Sequence, residues 1–333
     1  MARPLIELHV HLEGSVSPEM LRVLAERQGR QDVLGACLTE DGSSYRPCGD
    51  FASFLLLFKA VSAVVVTPAD HHAVAMALAA SLAAQNVQYA EVTVAYGVLL
   101  KRGRDPLAIQ RALAEAADEA RVLHGLHLYW QPDAVRQWGP DDAWRALEAA
   151  VSAGPGLGVV AFGLGGDELA LPLTGFADHF REARREGLGT TCHAGETGGP
   201  ESVRDAVLIG GVSRVGHALA AARSPDVLAL MAARSVHAEL CPGSNAATGV
   251  IADRAAHPLR AFLDAGVPCS LHTDDPSLFG TSLSSEYNAA AAELGLTATE
   301  ADCMIHAALD ASFAPDSLKK EIGARLTADA DPS

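Results

Sequence analysis

The strongest constraint on the fold of this chain is the alternation of eight short apolar runs with longer helical stretches along the sequence. Each run is largely apolar at both odd and even positions, as expected of parallel strands that helices cover on both faces. Eight such strands favour an α/β fold of the (β/α)8 TIM-barrel type, and an open doubly wound sheet is the alternative. The predicted strands are Leu5–His9, Tyr89–Ala95, Leu126–Gln131, Leu157–Phe162, Gly189–His193, Ser213–His217, His237–Cys241 and Pro268–Thr273.

The spacing of these runs leaves room for more helices than the eight of a simple barrel. The stretch of about 15–88, between the first two strands, is expected to be a helical insertion, and 282–327 is expected to add C-terminal helices. We therefore predict one barrel domain over 1–333, with its core at 5–281.

Two helix starts are marked by a capping residue that proline follows directly. Asp105 precedes Pro106 and predicts a helix over Asp105–Leu123. In the same way, Ser224 before Pro225 predicts a helix over Ser224–Ala233. Both helices fall between predicted strands, as the barrel requires.

Charge and composition exclude several classes of partner. The chain has 25 Lys+Arg against 41 Asp+Glu, a net charge of −16, which disfavours nucleic acids and anionic membranes as partners. The apolar segment 51–66 carries Lys59 and is too short to span a bilayer. The N-terminus lacks the apolar run of a signal peptide, and the six cysteines form no C-x-x-C pair, so we expect a cytoplasmic protein with free thiols. The sequence makes no prediction of oligomeric state.

Polar residues at the predicted strand ends carry the chemistry, because a barrel of this type places its functional side chains there. Three histidines with an aspartate form a donor set typical of zinc and leave one coordination position for water. Taken alone, H-x-H is more often a hydrogen-bonded pair, and two adjacent aspartates are more often a turn or a helix cap. The residues at these ends are His9, His11, His193, Glu196, His217, Asp274 and Asp275.

The metal is expected to be a single Zn²⁺. Barrel hydrolases with two metals commonly bridge them with a carboxylated lysine at a strand end. The four lysines of this chain, at 59, 101, 319 and 320, do not fall at such a position. A metal-bound water with a pKa near 7 would supply a nucleophile at neutral pH.

Six ordered motifs together resemble those of the adenosine deaminase family of zinc aminohydrolases. The resemblance implies a zinc (β/α)8 barrel that replaces the 6-amino group of a purine, a small-molecule substrate, by oxygen. The motifs are LHVHLEG (8–14), GLGGDE (163–168), TCHAGE (191–196), RVGHA (214–218), ELCPGSNAATG (239–249) and LHTDDPSLFG (271–280).

The same resemblance implies a role for each matching residue. It implies that Glu196 protonates purine N1, that His217 orients and deprotonates the water, and that Asp275 contacts purine N7. It also implies that the backbone of Gly166 donates to N3. The zinc ligands that it implies are His9, His11, His193 and Asp274, of which Asp274 also takes part in catalysis.

A helical stripe of apolar residues has two interpretations. Its members follow the i, i+3, i+4, i+7 spacing of one helix face, which is typical of an ordinary core face. The resemblance instead implies a hydrophobic gate over the nucleoside. The stripe comprises Phe51, Phe54, Leu55 and Phe58.

Departures from the family pattern affect the choice of substrate. Glu13 stands where nucleoside deaminases of the family usually carry an Asp that contacts the ribose 5′-hydroxyl, and H-L-E-G is more typical of relatives acting on adenine or aminodeoxyfutalosine. Gly163 replaces a common Asp, and Ala218 a common Gly. An acidic Glu13 at the cavity mouth is expected to repel a phosphate, so AMP is expected to be a poor substrate.

The expected activity is hydrolytic deamination of a 6-aminopurine nucleoside, adenosine or aminodeoxyfutalosine. Adenine is the alternative substrate. Two other classes stay open: a binding relative without turnover, and a zinc hydrolase acting on esters or amides. Retention of Glu196 and His217 argues against the binding relative.

Overall fold

A computed structural model describes residues 3–329 as one sheet of eight parallel strands in the order β1 to β8. The first and last strands meet through a bridge between Val10 and Asp274, and the Asp274 N–H donates to the carbonyl of His9 at 2.9 Å. This contact closes the sheet into the predicted (β/α)8 barrel. The strands are β1 Leu5–His11, β2 Val87–Val94, β3 His127–Val135, β4 Ala161–Gly165, β5 Gly189–Ala194, β6 Arg214–His217, β7 His237–Leu240 and β8 Cys269–Leu271.

All eight predicted strands are present, but the fourth begins later than predicted. Leu157 lies in a 3₁₀ turn, and β4 starts at Ala161. The turn needs positive φ angles at Gly154 and Gly158, 57° and 75°, which an extended strand does not have. Apolar composition does not distinguish such a buried turn from a strand.

Sixteen α-helices surround the barrel within the described residues. Four of them lie between β1 and β2 and four follow β8, and the last three of these are the extra helices that the sequence predicts at the C-terminus. The helices are α1 Pro18–Arg27, α2 Asp32–Cys37, α3 Phe51–Val64, α4 Pro68–Ala84, α5 Tyr96–Lys101, α6 Pro106–His124, α7 Pro140–Ala153, α8 Ala177–Arg185, α9 Pro200–Asp205, α10 Pro225–Ala233, α11 Pro242–Ala247, α12 Leu259–Asp264, α13 Pro276–Phe279, α14 Leu283–Glu293, α15 Ala298–Ala311 and α16 Asp316–Asp329.

The two predicted helix starts differ in their capping. The Asp105 side chain accepts the backbone N–H groups of Leu107 and Ala108 at the start of α6. At the start of α10, Ser224 occupies the capping position, but its side chain makes no capping hydrogen bond.

Helices α3 and α4 form the predicted apolar segment and the stretch that follows it. Neither these two nor any other single helix of residues 3–329 is long and apolar enough to cross a membrane. Only α3 and α4 taken together meet that length and composition, and they are bent by 119° relative to each other. All six cysteines are unpaired, as predicted.

The barrel interior holds charged groups as well as apolar ones. Arg214 of β6 is fully buried, and its guanidinium lies 2.6 Å from a carboxylate oxygen of Glu91 on β2 and 2.6 Å from one of Glu239 on β7. Buried charges are stable only when they are paired in this way. The Arg214 cluster links three strands directly beneath the C-terminal mouth.

Candidate metal centre and active site

Five titratable side chains converge at the C-terminal mouth of the barrel. His9 and His11 lie at the end of β1, His193 on β5 and His217 at the end of β6, while Asp274 follows β8. The His9 ring centroid is 4.7 Å from that of His193 and 5.0 Å from that of His217, and the His11 and His193 centroids are 5.4 Å apart. Since strand side chains alternate, the spacing of two sends both β1 imidazoles to the same face, as predicted.

The donor atoms are close enough to share one ion. One potential ligand atom from each of His9, His193, His217 and Asp274 lies within 4.8 Å of the others. His11 Nε2 is 3.2 Å and His9 Nε2 is 3.3 Å from the same oxygen, Asp274 Oδ1. Apart from this approach to Asp274, the buried His9 Nε2 has no hydrogen-bond partner among the described residues. A buried donor set with an unsatisfied nitrogen fits a metal ligand.

A buried carboxylate fixes the orientation of His9. His9 Nδ1 lies 2.7 Å from Glu239 Oε2, so the opposite nitrogen, Nε2, faces the cluster. Burial alone would raise the pKa of Glu239, but the Arg214 charge and the hydrogen bond to His9 outweigh it and lower that pKa far below its usual range. An ionised partner of this kind orients a metal-ligating imidazole. Sequence reasoning missed Glu239 and Arg214, although charged residues inside predicted apolar strands were an available signal.

His217 is held by a different contact. Its Nδ1 lies 3.1 Å from the side-chain amide nitrogen of Asn245 on α11. Its Nε2 lies 3.7 Å from Glu196 Oε2 and 3.9 Å from Asp274 Oδ2. Thus His217 faces both the acid and the aspartate, whereas Asp274 Oδ1 faces His9 and His11.

Two of these residues occupy strained backbone conformations. The φ angles of His217 and Asp274 are 61° and 62°, in the left-handed region that non-glycine residues rarely adopt. Such positions cost about 1–3 kcal/mol each and persist where the surrounding structure enforces them. Ala218, where the family commonly carries Gly, has φ 51° as well. The Ser244 hydroxyl donates to Asp274 Oδ2 at 2.6 Å and helps to hold the aspartate.

The environment keeps two imidazoles neutral. Burial, together with the neighbouring histidines, lowers the pKa of His193 well below its usual value. Burial also lowers the pKa of His217 to about 3, against an opposing effect of Asp274. Neutral imidazoles retain the lone pair that a metal ligand or a proton acceptor needs.

Glu196 lies in the loop after β5, which a second glutamate holds in place. Glu168 accepts backbone N–H groups from Glu196, Thr197 and Gly198 at 3.1, 3.1 and 3.0 Å, and it also accepts that of Gly195. Burial raises the pKa of Glu196 well above its usual value, and the negative charges of Asp274 and Glu168 add to this effect. Glu168 lies in the GLGGDE motif, but its contacts with the loop were not predicted.

Asp275 and Asp133 are two further buried acids in the same cavity. Burial raises the pKa of both carboxyl groups; the charge of Asp274 adds to the effect at Asp275, and the charge of Glu13 adds to it at Asp133. Each has an oxygen, Oδ1, that finds no hydrogen-bond partner within the described part of the chain. A neutral carboxylic acid offers both a donor and an acceptor to a ligand. Asp275 was predicted from the sequence; Asp133, on β3, was not.

A cavity of about 510 Å³ brings the predicted site together. Besides the residues at its inner end, it is lined by Gly166 and by all four members of the predicted stripe, Phe51, Phe54, Leu55 and Phe58. The Phe58 ring meets the His11 ring edge to face at 6.0 Å. A Cβ at Gly166 would lie 2.3 Å from Gln137 Oε1, and its φ of 93° also favours glycine. The stripe is therefore the outer wall of the cavity rather than only a core face.

Glu13 lies directly after β1, as predicted, but behind the wall of the cavity. It is 3% exposed and does not belong to the cavity lining, and its Oε1 accepts the backbone N–H of Ala95 at 3.2 Å. The side chain turns away because the 3₁₀ turn after β1 packs it against the end of β2. The charge of Glu13 nevertheless acts on the lining residues Asp133 and Asp275 and raises their pKa values, so the repulsion of a phosphate stays a prediction.

Positive side chains lie at the outer part of the same cavity. Lys59 on α3, Lys101 at the end of α5 and the adjacent Arg102 all contribute to its lining. None of the three was predicted as a site residue. They face the cavity from α3 of the insertion and from the end of α5, which follows β2.

Comparisons with known proteins place this architecture among deaminases. The profile of the family described as Adenosine deaminase matches residues 4–329. The aminodeoxyfutalosine deaminase of Streptomyces avermitilis is 35% identical over 97% of this chain and 90% of its own, and the adenine deaminase of Rhizobium leguminosarum bv. trifolii is 36% identical over 96% and 98%. A zinc-bound amidohydrolase from Burkholderia ambifaria has the same fold, with a TM-score of 0.87 and 24% identity over 98% of this chain and 90% of its own.

Proposed function

The chain belongs to the adenosine deaminase family, and on that premise we propose that it is a zinc-dependent aminohydrolase that deaminates a 6-aminopurine nucleoside. The observation that carries the proposal is the meeting of three kinds of group in one 510 Å³ cavity. These are a His/Asp donor set, a buried acid at Glu196 and a second buried acid at Asp275. Each has a distinct task in replacing the 6-amino group by oxygen.

The donor set fits one zinc ion, with His9, His11, His193 and Asp274 as its ligands. We prefer His11 to His217 as the third imidazole because His9 and His11 share Asp274 Oδ1 at 3.3 and 3.2 Å. The borderline-soft character of zinc suits imidazole and carboxylate donors. A zinc ion held there would act as a Lewis acid and lower the pKa of water to about 7, which makes a nucleophile available at neutral pH.

Glu196 is the proton donor to the purine ring. Addition of the water oxygen at C6 moves an electron pair onto N1, and a carboxylic acid at that atom neutralises the developing charge. Burial of Glu196 favours the protonated form that this step needs. General acid catalysis of this kind contributes about 10²–10⁴-fold.

His217 orients the water and accepts its proton. Its Nε2 lies 3.7 Å from Glu196 Oε2, so it faces the place where the C6 atom must lie if N1 contacts the acid. The contact with Asn245 holds the ring in this orientation. Transfer of a proton to the leaving 6-amino group then allows ammonia to depart and leaves the 6-oxo product.

Asp275 and Gly166 orient the purine. A protonated Asp275 donates to an acceptor such as N7, and the backbone at Gly166 can approach the opposite edge of the ring because no Cβ is present. The apolar stripe on α3 forms the outer wall over the base and excludes water from the reacting atoms.

Adenine is the second candidate substrate. It is favoured by the 36% identity to a protein named adenine deaminase and by the absence of Glu13 from the cavity lining. The size of the cavity favours the nucleoside, because its lining continues beyond the inner acids to α3 and α5.

The test is ammonia release from adenosine, 2′-deoxyadenosine, aminodeoxyfutalosine and adenine, using protein purified without chelators and analysed for metal. We expect about one zinc per chain and a nucleoside with the highest kcat/KM. Ammonia release with adenine preferred to every nucleoside would replace the first candidate by the second. Two metals per chain, or turnover of esters or amides alone, would contradict the proposal itself.

A further inference from the structure

Charge is segregated along the length of the cavity. Its acidic lining residues all lie at the inner end and are buried: Asp133, Glu196, Asp274 and Asp275. Its basic lining residues other than the histidines are Lys59, Lys101 and Arg102. In a chain of net charge −16 that contains only four lysines, two lysines and an arginine around one opening form a local positive field.

Much of this positive charge is not neutralised by the protein. No ion pair joins Lys59 to a carboxylate within residues 3–329. Arg102 donates to the carbonyls of Ser62 and Lys59 at 2.6 and 3.1 Å and to the Ser62 hydroxyl at 3.2 Å, all neutral groups. The carboxylate of Glu13 acts on its charge without forming an ion pair with it. Lys101 lies 3.1 Å from Asp142, but that pair is exposed and therefore weak.

The rim is also shaped to hold a ligand. The Lys101 ammonium lies 5.5 Å from the centre of the Trp138 ring, and Trp138 lines the same cavity. The bonds from Arg102 to α3 fix its guanidinium beside Lys59 and leave N–H groups unused, since a guanidinium carries five. The three cations thus surround one opening from α3 and from the end of α5.

The orientation of a 6-aminopurine determines which part of the substrate reaches this rim. C6 must lie at the inner end, beside the donor set and Glu196. The substituent on N9, at the opposite end of the ring system, then points outward between α3 and α5. The group at the end of that substituent then lies next to Lys59, Lys101 and Arg102.

We propose that Lys59, Lys101 and Arg102 form a subsite for an anionic group, a phosphate or a carboxylate, on the sugar side of the substrate. This inference rests on the proposed function, which supplies the orientation of the purine. The expected substrate is then a 6-aminopurine nucleoside that carries a negative charge. It also reverses the sequence-based expectation that AMP is a poor substrate.

The experiment compares kcat/KM for adenosine, adenosine 5′-monophosphate and adenosine 5′-carboxylic acid, measured by ammonia release. We expect at least one anionic nucleoside to exceed adenosine about tenfold, with an advantage that falls as salt is raised. Preference for the phosphate or for the carboxylate identifies which anion the subsite accepts. Equal kcat/KM values for the three compounds would overturn the inference.

Single variants test which residues are responsible. Lys59→Gln and Lys101→Gln should each lower the ratio of anionic to neutral kcat/KM about fivefold, as expected for one lost ion pair. Lys320→Gln is the matched control, because Lys320 is also exposed but lies on α16 and outside the cavity lining. An equal decrease for anionic and neutral substrates in Lys59→Gln would contradict the subsite.

A binding measurement separates this inference from the proposed function. If no aminopurine releases ammonia, the proposed function fails, and calorimetric titration with AMP and adenosine still tests the subsite. Tighter binding of AMP than adenosine, lost in the Lys59→Gln/Lys101→Gln variant but kept in Lys320→Gln, would support it. AMP binding no tighter than adenosine in the unsubstituted protein would refute it.

Discussion

The inner end and the outer wall of the cavity are built in opposite ways. At the inner end, side chains come from strand ends, are buried, and are held by further buried partners such as Glu239, Ser244 and Asn245. The outer wall comes from helices, mainly α3 of the insertion after β1, and its apolar members are mostly half-buried. Its charged members are exposed or half-buried.

The inner end is therefore suited to the reaction, and the outer wall is suited to selecting the substrate. A reaction centre needs atoms held to within fractions of an ångström, which closed strands and paired charges provide. A wall that admits and covers a substrate must instead be able to move, and helices attached by loops allow this. We therefore expect substitutions at the inner end to affect metal binding and kcat, and substitutions at the outer wall to affect KM and substrate choice.

The largest effect is expected from removing a ligand at the inner end. His193→Ala should lose zinc and activity together, with kcat falling by more than the roughly 10⁴-fold upper range for loss of a general acid. Metal analysis and ammonia release measure the two losses. His124→Ala, an exposed histidine at the end of α6, should change neither. Full metal occupancy in His193→Ala would remove this residue from the ligand set.

The second prediction separates metal binding from proton transfer within the inner end. Glu196→Gln should keep its zinc, because Glu196 is not a ligand, and should lose about 10²–10⁴-fold in kcat. Glu19→Gln, an exposed change of the same kind on α1, serves as the control. A kcat within tenfold of the original would show that another group protonates the purine.

The third prediction concerns the charges beneath the centre. Glu239→Gln should weaken zinc binding about 10–100-fold through His9 and should lower the free energy of unfolding by about 3 kcal/mol, since Arg214 loses a partner. Glu91→Gln removes the other partner of Arg214 without contacting His9. It should destabilise the fold while leaving zinc affinity unchanged. Competition titration and urea unfolding distinguish the two, and equal zinc affinities would disprove the role of Glu239.

The smallest effect is expected at the outer wall. Leu55 and Leu57 are both half-buried on α3, but only Leu55 lines the cavity. Leu55→Ala should raise KM about fivefold to tenfold through lost apolar contact, with zinc content and kcat little changed. Leu57→Ala should leave KM as it is. If both variants change KM alike, α3 acts as a structural helix and not as part of the binding wall.

The elements of the fold and the donor set of the inner end follow from local patterns in the sequence. Local periodicity predicts strands and helices, and it misplaced the start of β4 because a buried turn with Gly158 is as apolar as a strand. A spacing of two sends His9 and His11 to one face, and the barrel brings strand ends together, so the donor set could be expected before any distance was known.

The residues that support and surround that centre come together only in the folded chain. Glu239 reaches His9 from 230 positions away along the chain, and Arg102 reaches Lys59 across 43, which no local pattern encodes. The position of Glu13 after β1 follows from the sequence, whereas its bond to the N–H of Ala95 depends on the packing of β1 against β2. Periodicity specifies which face of its own element a side chain takes. Barrel closure and helix packing specify which distant side chains share that face.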